Sequence, residues 1–486
     1  MRIPKRFPLA SALALVLAAP VAGSASAAEP ASTAVPATAE ITPAVAARLD
    51  DAVRTAAGTS KGRAPAISVA VVTNGRLAYV RAFGVADLTS HRPATPETRF
   101  RIASVTKMLT AVAVMQLVQG GRVRLDAPLA TYLPSAPHAR DVTVRQLLMH
   151  TSGVWNYGDE AIRSGRVAAA TTPAEIVAWT ADRPLDQTPG AKFDYSNTGY
   201  VLLGLVVEAV ARQPLAAYEA EHIFTPAGMR ETTFGDAPAG APRATGYMSA
   251  TGTPALAYSP TWFYADGDAV STASDVARFD IALMSGRLVS PAIFAEMQSS
   301  AVDAASLGAG VRYGLGLTLV PYRGMTLVEH HGGVPGFEAE NFMLPGARFA
   351  AVVLSDAFDF PTSVVSGAVL REAFPSLAES AAPAASGEDP AITARLRAFL
   401  TQLPSGHVDT SSFTPEMAAA MTPAVVGDLA ARLSPLGELR SLTFRGQDTV
   451  QVYRRYHYSA AYSGGQTIPL TLVLDANGKV AGFQPS

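Results

Sequence analysis

Ser104-Val-Thr-Lys107 is the one place in this chain where a serine stands three residues before a lysine. Only five lysines (Lys5, Lys61, Lys107, Lys192, Lys479) occur among 38 lysines and arginines. The choice matters, because arginine stays protonated whereas a buried lysine can lose its proton and act as a base. On a helix, positions i and i+3 share a face, so the two side chains come within reach of each other. A serine nucleophile with a lysine base requires that arrangement. Chance alone gives about 0.3 such pairs in a chain of this composition, so the surrounding sequence has to carry the rest.

Outward from this stretch, apolar spacing predicts a helix that starts at Ser104, runs through Met108, Val112, Met115 and Leu117, and stops at Gly120-Gly121. Upstream, residues 41–58 (Ile41, Val45, Leu49, Val53) have helical spacing, and Ala66–Val72 and Leu77–Val85 alternate as strands around Asn74-Gly75, a type I′ hairpin signal. From about 125 to 250 the pattern is helical with long Pro/Gly loops, including an apolar helix over Val201–Val210. Strand patterns return at Tyr313–Leu319, Thr326–His330, Glu340–Leu344 and Phe349–Leu354, with Pro345-Gly346 as a turn, and Val364–Phe374 reads as a closing helix. This ordering predicts a mixed α/β (α+β) domain over 41–380: an antiparallel sheet flanked by helices, with a helical insert between the Ser104 helix and the late strands. Residues 376–390 have a linker composition. Beyond them, 390–486 reads as a small α+β accessory domain, with helix patterns at Ile392–Leu400 and Met417–Leu433. Its strands are expected at Leu442–Arg445, Val450–Ala461, Ile468–Leu474 and Val480–Phe483, the last three separated by Gly464-Gly465 and Asn477-Gly478.

Composition excludes several classes. Hydrophobic residues make up 49% and charged residues 16% of the chain, which allows a large core and excludes wholesale disorder. No basic block suggests nucleic acid. Residues 1–27 read as a secretory signal: Arg2, Lys5 and Arg6, the apolar run Leu9–Ala19, and the small-residue site Ala25-Ser26-Ala27. Residues 28–40 read as a flexible leader. The formal net charge is −2, and loss of those three cations takes the mature chain to about −5. There is no cysteine, hence no disulfide and no thiolate metal site. A soluble protein of a bacterial periplasm or exterior is the expectation.

A serine–lysine enzyme also needs a group that relays a proton to the leaving group, and donors where an oxyanion forms. Tyr195-Ser196-Asn197 supplies a phenol and an amide two residues apart. His330-His331-Gly332-Gly333 follows a strand and leads into Val334-Pro335-Gly336-Phe337, and its glycines let backbone approach a substrate closely. Ser-x-x-Lys, Tyr-x-Asn and His-x-Gly in this order resemble the serine β-lactamase/DD-peptidase superfamily, in its branch of class C β-lactamases, D-alanyl-D-alanine carboxypeptidases and related esterases. The flanks Phe100-Arg-Ile-Ala, Leu147-Leu-Met-His-Thr-Ser-Gly153, Pro226-Ala-Gly-Met229 and Tyr313-Gly-Leu-Gly316 agree with it, and the resemblance covers roughly 40–375.

The resemblance implies roles. Ser104 would be the acylated nucleophile, Lys107 its base and Tyr195 the proton shuttle. Asn197 would hold the acyl side of the substrate and steady Lys107. The backbone N–H groups of Ser104 and Gly333 would form the oxyanion hole. Counting six residues back from Gly336 puts His330 at the third-motif position, where class C β-lactamases have lysine; His331 then fills the middle place as a rim or packing residue, with Gly332 beside it. A mostly neutral histidine in place of a fixed cation leans toward an ester or a D-amino-acid peptide rather than a β-lactam as substrate. A sensor that stays acylated, or a scaffold, is the reading from another class. No metal or organic cofactor is implied, and no partner is indicated for 390–486. His150 reads as a loop anchor under the site. Trp155, Tyr157, Trp262, Phe263 and Tyr264 read as core residues that could reach the pocket. Asp268 reads as a turn residue, and His91, His138, His222, His407 and His457 as scattered surface or core histidines.

Overall fold

A computed structural model describes residues 40–485 except 57–65, 250–251, 309, 323–324, 361, 375–387, 407, 451–452, 464–466 and 476. The signal and leader segments, most of the expected linker, His407 and the Gly464-Gly465 turn therefore lie outside the described residues. The described chain falls into two compact units, one on each side of the expected linker.

The larger unit is organised around an eight-stranded antiparallel sheet. Its strands are β1 (Ile67–Thr73), β2 (Arg76–Phe83), β3 (Val302–Asp303), β4 (Arg312–Tyr313), β5 (Thr318–Tyr322), β6 (Met325–Val334), β7 (Phe337–Leu344) and β8 (Phe349–Ser355), in the spatial order β2-β1-β8-β7-β6-β5-β4-β3. The β1–β2 turn has Asn74 at φ 52° and Gly75 at φ 73°, the positive pair that a type I′ turn demands. The first strand thereby joins the late strands: β1 pairs with β8 from Ile67↔Ser355 to Val72↔Ala350.

The helices that matter here are α1 (Pro43–Ala56), α2 (Thr106–Gln119), α3 (Asn197–Ala211), α4 (Ala273–Met284) and α5 (Thr362–Ala373). Helices α1 and α5 pack on each other, and α5 lies on β7 and β8. Residues Thr106 to Met115 of α2 are all buried. A helix that is apolar all round belongs in a core, and α2 packs against α3 and the short helix Tyr264–Gly267. No single helix among the described residues is long and apolar enough to cross a membrane.

One expected strand is two. Tyr313–Leu319 breaks into β4 and β5, because Gly316 (φ 81°) passes so close to α2 that a Cβ there would lie 2.2 Å from the Ala111 Cβ. The smaller unit has α6 (Pro390–Gln402) and a four-stranded antiparallel sheet of β9 (Leu439–Val450), β10 (Tyr453–Tyr462), β11 (Thr467–Leu474) and β12 (Val480–Pro485). Phe444, Tyr456, Tyr458, Leu472 and Leu396 form its core. Here too one expected element divides: Met417–Leu433 is two helices, Pro415–Ala420 and Pro423–Leu433. The second restarts at Thr422, whose hydroxyl accepts from the Val425 N–H, followed by a proline in the first turn. Val450 ends β9 rather than opening β10.

Candidate active site

Ser104 does not open α2 directly. It sits in a one-turn 3₁₀ segment, Ala103–Val105, that feeds into the helix at Thr106. Ala103, just before it, has φ 47°, a left-handed conformation that costs a non-glycine residue about 1–3 kcal/mol. That kink turns the half-buried Ser104 toward open space while Lys107, one turn on, is fully buried. Lys107 Nζ donates to Ser104 Oγ at 3.1 Å, to Asn197 Oδ1 at 2.8 Å and to the Asp266 carbonyl at 2.6 Å. Tyr195 OH donates to the same Ser104 Oγ at 3.0 Å. Burial pushes Lys107 down to about 8, against the pull of the Asp266 carboxylate. Burial also pushes the Tyr195 phenol well above its ordinary value.

Tyr195 and Asn197 are held by the start of α3. Ser196 is the N-cap, its hydroxyl accepting from the Gly199 N–H at 3.3 Å. The Ser196 N–H in turn donates to His150 Nδ1 at 3.1 Å. His150 (φ 54°) lies under the Tyr195 ring, centroids 4.1 Å apart, and touches Tyr200 and Tyr313 as well. Burial keeps its imidazole neutral, well below its usual range. The expected loop anchor is thus also the floor beneath the phenol.

The third motif lies on β6. Beyond Glu329 this strand pairs only with β7, since its pairing with β5 ends at Thr318↔Glu329. His330 is buried on the face toward α2, where its cross-strand partner Asn341 contacts Met108. Its Nδ1–H donates to the His331 carbonyl at 2.7 Å, and Nε2 accepts from Tyr313 OH at 3.0 Å. Burial first, and then the Lys107 charge, push its ring down to about 3. Gly332 shares that face, and a Cβ there would lie 2.5 Å from the Ile102 carbonyl and 2.8 Å from the Ser104 N. Only glycine lets β6 pass against the Ser104 turn. His331 and Gly333 point the other way. His331 Nε2 is 2.8 Å from Glu338 Oε2. Burial works against its charge, yet Glu338, Glu340 and Glu329 together outweigh that and push the ring up to about 9.

A cleft of about 360 Å³ gathers Ser104, Tyr195, Asn197, His330, His331 and Gly333. Gly332 is not among its walls; it is pressed against the Ser104 turn. Of the aromatic candidates, Tyr157 and Phe263 line the cleft, while Trp155, Trp262 and Tyr264 pack in a cluster with Ile176 and Val201. Asp268 Oδ2 accepts from the Gly235 N–H at 3.0 Å and its other oxygen lies 3.5 Å from Arg101, so it ties the Gly235 turn to the strand Phe100–Arg101. No group of three His, Asp or Glu residues among those described could hold a metal ion. Two participants went unforeseen. Tyr313, in the Tyr-Gly-Leu-Gly flank, fixes His330. Asp266, 159 residues from Lys107 in sequence, holds it through its carbonyl, and no local pattern announces that contact.

The family model described as Beta-lactamase matches residues 39–373. The chain belongs to the β-lactamase family. Within that family it is 30% identical over 312 residues to a penicillin-binding protein of Bacillus subtilis, covering 60% of this chain and 67% of that one. It is 38% identical over 183 residues to an esterase of Burkholderia gladioli, covering 34% and 46% of the two chains. The D-amino acid amidase of Ochrobactrum anthropi superposes on 67% of this chain and 97% of its own, with TM-score 0.58 and 29% identity. As a β-lactamase-family protein with such relatives, it falls among serine hydrolases in general.

Proposed function

We propose that this β-lactamase-family protein is an exported hydrolase that cleaves an ester or amide bond through an acyl-enzyme on Ser104. The observation that carries the reading is the placement of Ser104 Oγ between Lys107 Nζ (3.1 Å) and Tyr195 OH (3.0 Å) in the wall of a cleft. Unprotonated Lys107 takes the Ser104 hydroxyl proton as Oγ attacks the substrate carbonyl. The Ser104 and Gly333 backbone N–H groups receive the oxyanion, a contribution worth ~10²–10³ in rate per donor. Tyr195, resupplied by Lys107, protonates the leaving group, and water then releases the acyl group by the reverse relay. The neutral His330 offers no fixed cation to a substrate carboxylate, which supports an ester or a D-amino-acid amide over a β-lactam.

The test is intact mass of the mature protein after brief exposure to a short-chain aryl ester and, separately, to benzylpenicillin, with Ser104→Ala as control. Ser104-dependent turnover of the ester alone supports the esterase reading. A stable penicillin adduct moves it to a D-peptidase, and rapid penicillin turnover to a β-lactamase. No adduct and no turnover with either sinks the hydrolase reading and leaves a binding protein.

A further inference from the structure

Lys107 is held twice by one residue. Its Nζ donates to the Asp266 carbonyl at 2.6 Å, and Asp266 Oδ2 stands 3.9 Å from the same nitrogen. Asp266 is 3% exposed and Lys107 is 0% exposed, so little solvent lies between them to screen the pair. The other carboxylate oxygen, Oδ1, accepts from Tyr157 OH at 3.1 Å. Both residues line the cleft that contains Ser104. Three acceptors, Ser104 Oγ, Asn197 Oδ1 and the Asp266 carbonyl, match the three N–H bonds of an ammonium. In this arrangement Lys107 is charged, and it has to lose a proton before it can take one from Ser104.

The remaining titratable groups around the pair do not supply a compensating negative charge at Nζ. Tyr195 and Tyr200 present their rings to Nζ, at 5.0 and 5.5 Å to the centroids. His330 and His150 are neutral imidazoles. Around Asp266 stand Lys107, Tyr157, Tyr195 and, further off, Asp268. The Asp266 carboxyl is therefore the one acidic group that the described structure sets against Lys107; burial pushes it up to about 7 against the pull of the Lys107 charge, so it carries its full charge only above that pH.

We propose that Asp266 is a positioning residue of the hydrolase described above: through its carboxylate it sets the pH at which Lys107 becomes a base. The inference rests on that reading of Ser104 and Lys107. An opposite charge within 4–6 Å favours the protonated amine by roughly 1–3 pH units. The carboxylate therefore delays the loss of the Lys107 proton to higher pH, and its removal brings that loss to lower pH. Two groups this close titrate as a pair, so the wild-type acid limb is broad.

The experiment follows the rate of Ser104 acylation by p-nitrophenyl acetate, read by intact mass across pH 5–9.5, in wild type and in Asp266→Asn, Asp266→Glu and Tyr157→Phe. Asp266→Asn is expected to move the acid limb down by about one pH unit or more and to sharpen it to a single-proton limb. Asp266→Glu is expected to restore the wild-type limb. Tyr157→Phe removes a phenol that favours the ionised Asp266 carboxyl and that also donates to the Trp262 carbonyl, and moves the limb in the same direction by less; it carries the test if Asp266→Asn does not fold. A limb that stays in place in the folded variants overturns the role of Asp266. Absence of any Ser104 acylation in wild type overturns the hydrolase reading instead.

Discussion

The two faces of β6 hold the same residue type to opposite effect. On the face toward α2, His330 is stripped of charge by burial and by Lys107, and it is pinned at both ring nitrogens. On the other face, one residue along, His331 keeps its proton among Glu338, Glu340 and Glu329, and Glu340 lies beside Thr362 and Ser366 of α5. The glycines divide in the same way. Gly332 is crowded by backbone of the Ser104 turn, whereas a Cβ on Gly333 would meet the end of the Glu338 side chain at 3.0 Å. The α2 face is built for geometry, with both ring nitrogens of His330 hydrogen-bonded and backbone packed against backbone at Gly332. The other face is built around charge, with three buried carboxyl groups balanced by one imidazolium. What an adjacent pair of identical residues does is decided by strand alternation and by the sign of the nearest charge.

The largest expected effect belongs to the α2 face. Ser104→Ala removes the proposed nucleophile, and steady-state turnover of an aryl ester should fall by ~10⁴-fold or more while the thermal midpoint stays near wild type. Next comes the contrast between the glycines. Gly332→Ala forces the nucleophile turn or the strand to shift, and an error near 1 Å costs ~10²-fold in kcat/KM. Overpacking should also lower stability by about 1–3 kcal/mol in denaturant unfolding. Gly333→Ala meets the ends of the Glu338 and Phe358 side chains rather than backbone, and its loss should be several-fold; if the two variants are equally impaired, the distinction between the faces fails.

Smaller effects probe the charged face. His331→Gln leaves Glu338 without its cation and should cost about 1–2 kcal/mol at pH 7 by urea unfolding. The pH dependence of stability has a definite sign. The folded chain holds the His331 proton up to about 9 against an ordinary 6.5, and the Glu329 proton up to about 8 against 4.5. Both groups bind more protons folded than unfolded, so stability falls as pH rises. The fall should be steepest between about 6.5 and 8, where the two windows overlap, and should end near 9. Glu329→Gln should make that slope shallower in melts across pH 6–9. A flat profile in wild type would mean that the carboxyl groups are compensated by something other than His331.

Much of this was legible in the sequence, because the motifs mark positions where backbone or chemistry leaves few choices. Asn74-Gly75 specified its turn through two positive φ values, and the Ser104–Lys107 spacing specified a shared helix face. The sheet partners of β1 were not legible, since Ile67–Thr73 carries no mark of the β8 register almost 290 residues away. The break between β4 and β5 was hidden for a similar reason: Tyr313–Leu319 alternates like one strand, and only the approach of Gly316 to Ala111 explains the gap. The Met417–Leu433 pattern was one helix by periodicity, and Thr422-Pro423 was the local signal that should have divided it. In the site, His150 was placed correctly as a buttress from its motif. Tyr313 as the partner of His330, and Asp266 as the partner of Lys107, depend on contacts that form only once the sheet and helices have packed.

The sheathing of α2 has a consequence for how such a protein changes over time. The proposed base stands on a helix whose residues Thr106 to Met115 are all buried, and the proposed nucleophile on the turn that feeds it, where most substitutions would be felt throughout the core. The cleft walls are of another kind: Asn156, Ile162, Leu307 and Phe358 come from loops and a short helix that can be rewritten one at a time. For the proposed hydrolase, substitutions in those walls alter what fits the cleft while leaving Ser104 and Lys107 where they are.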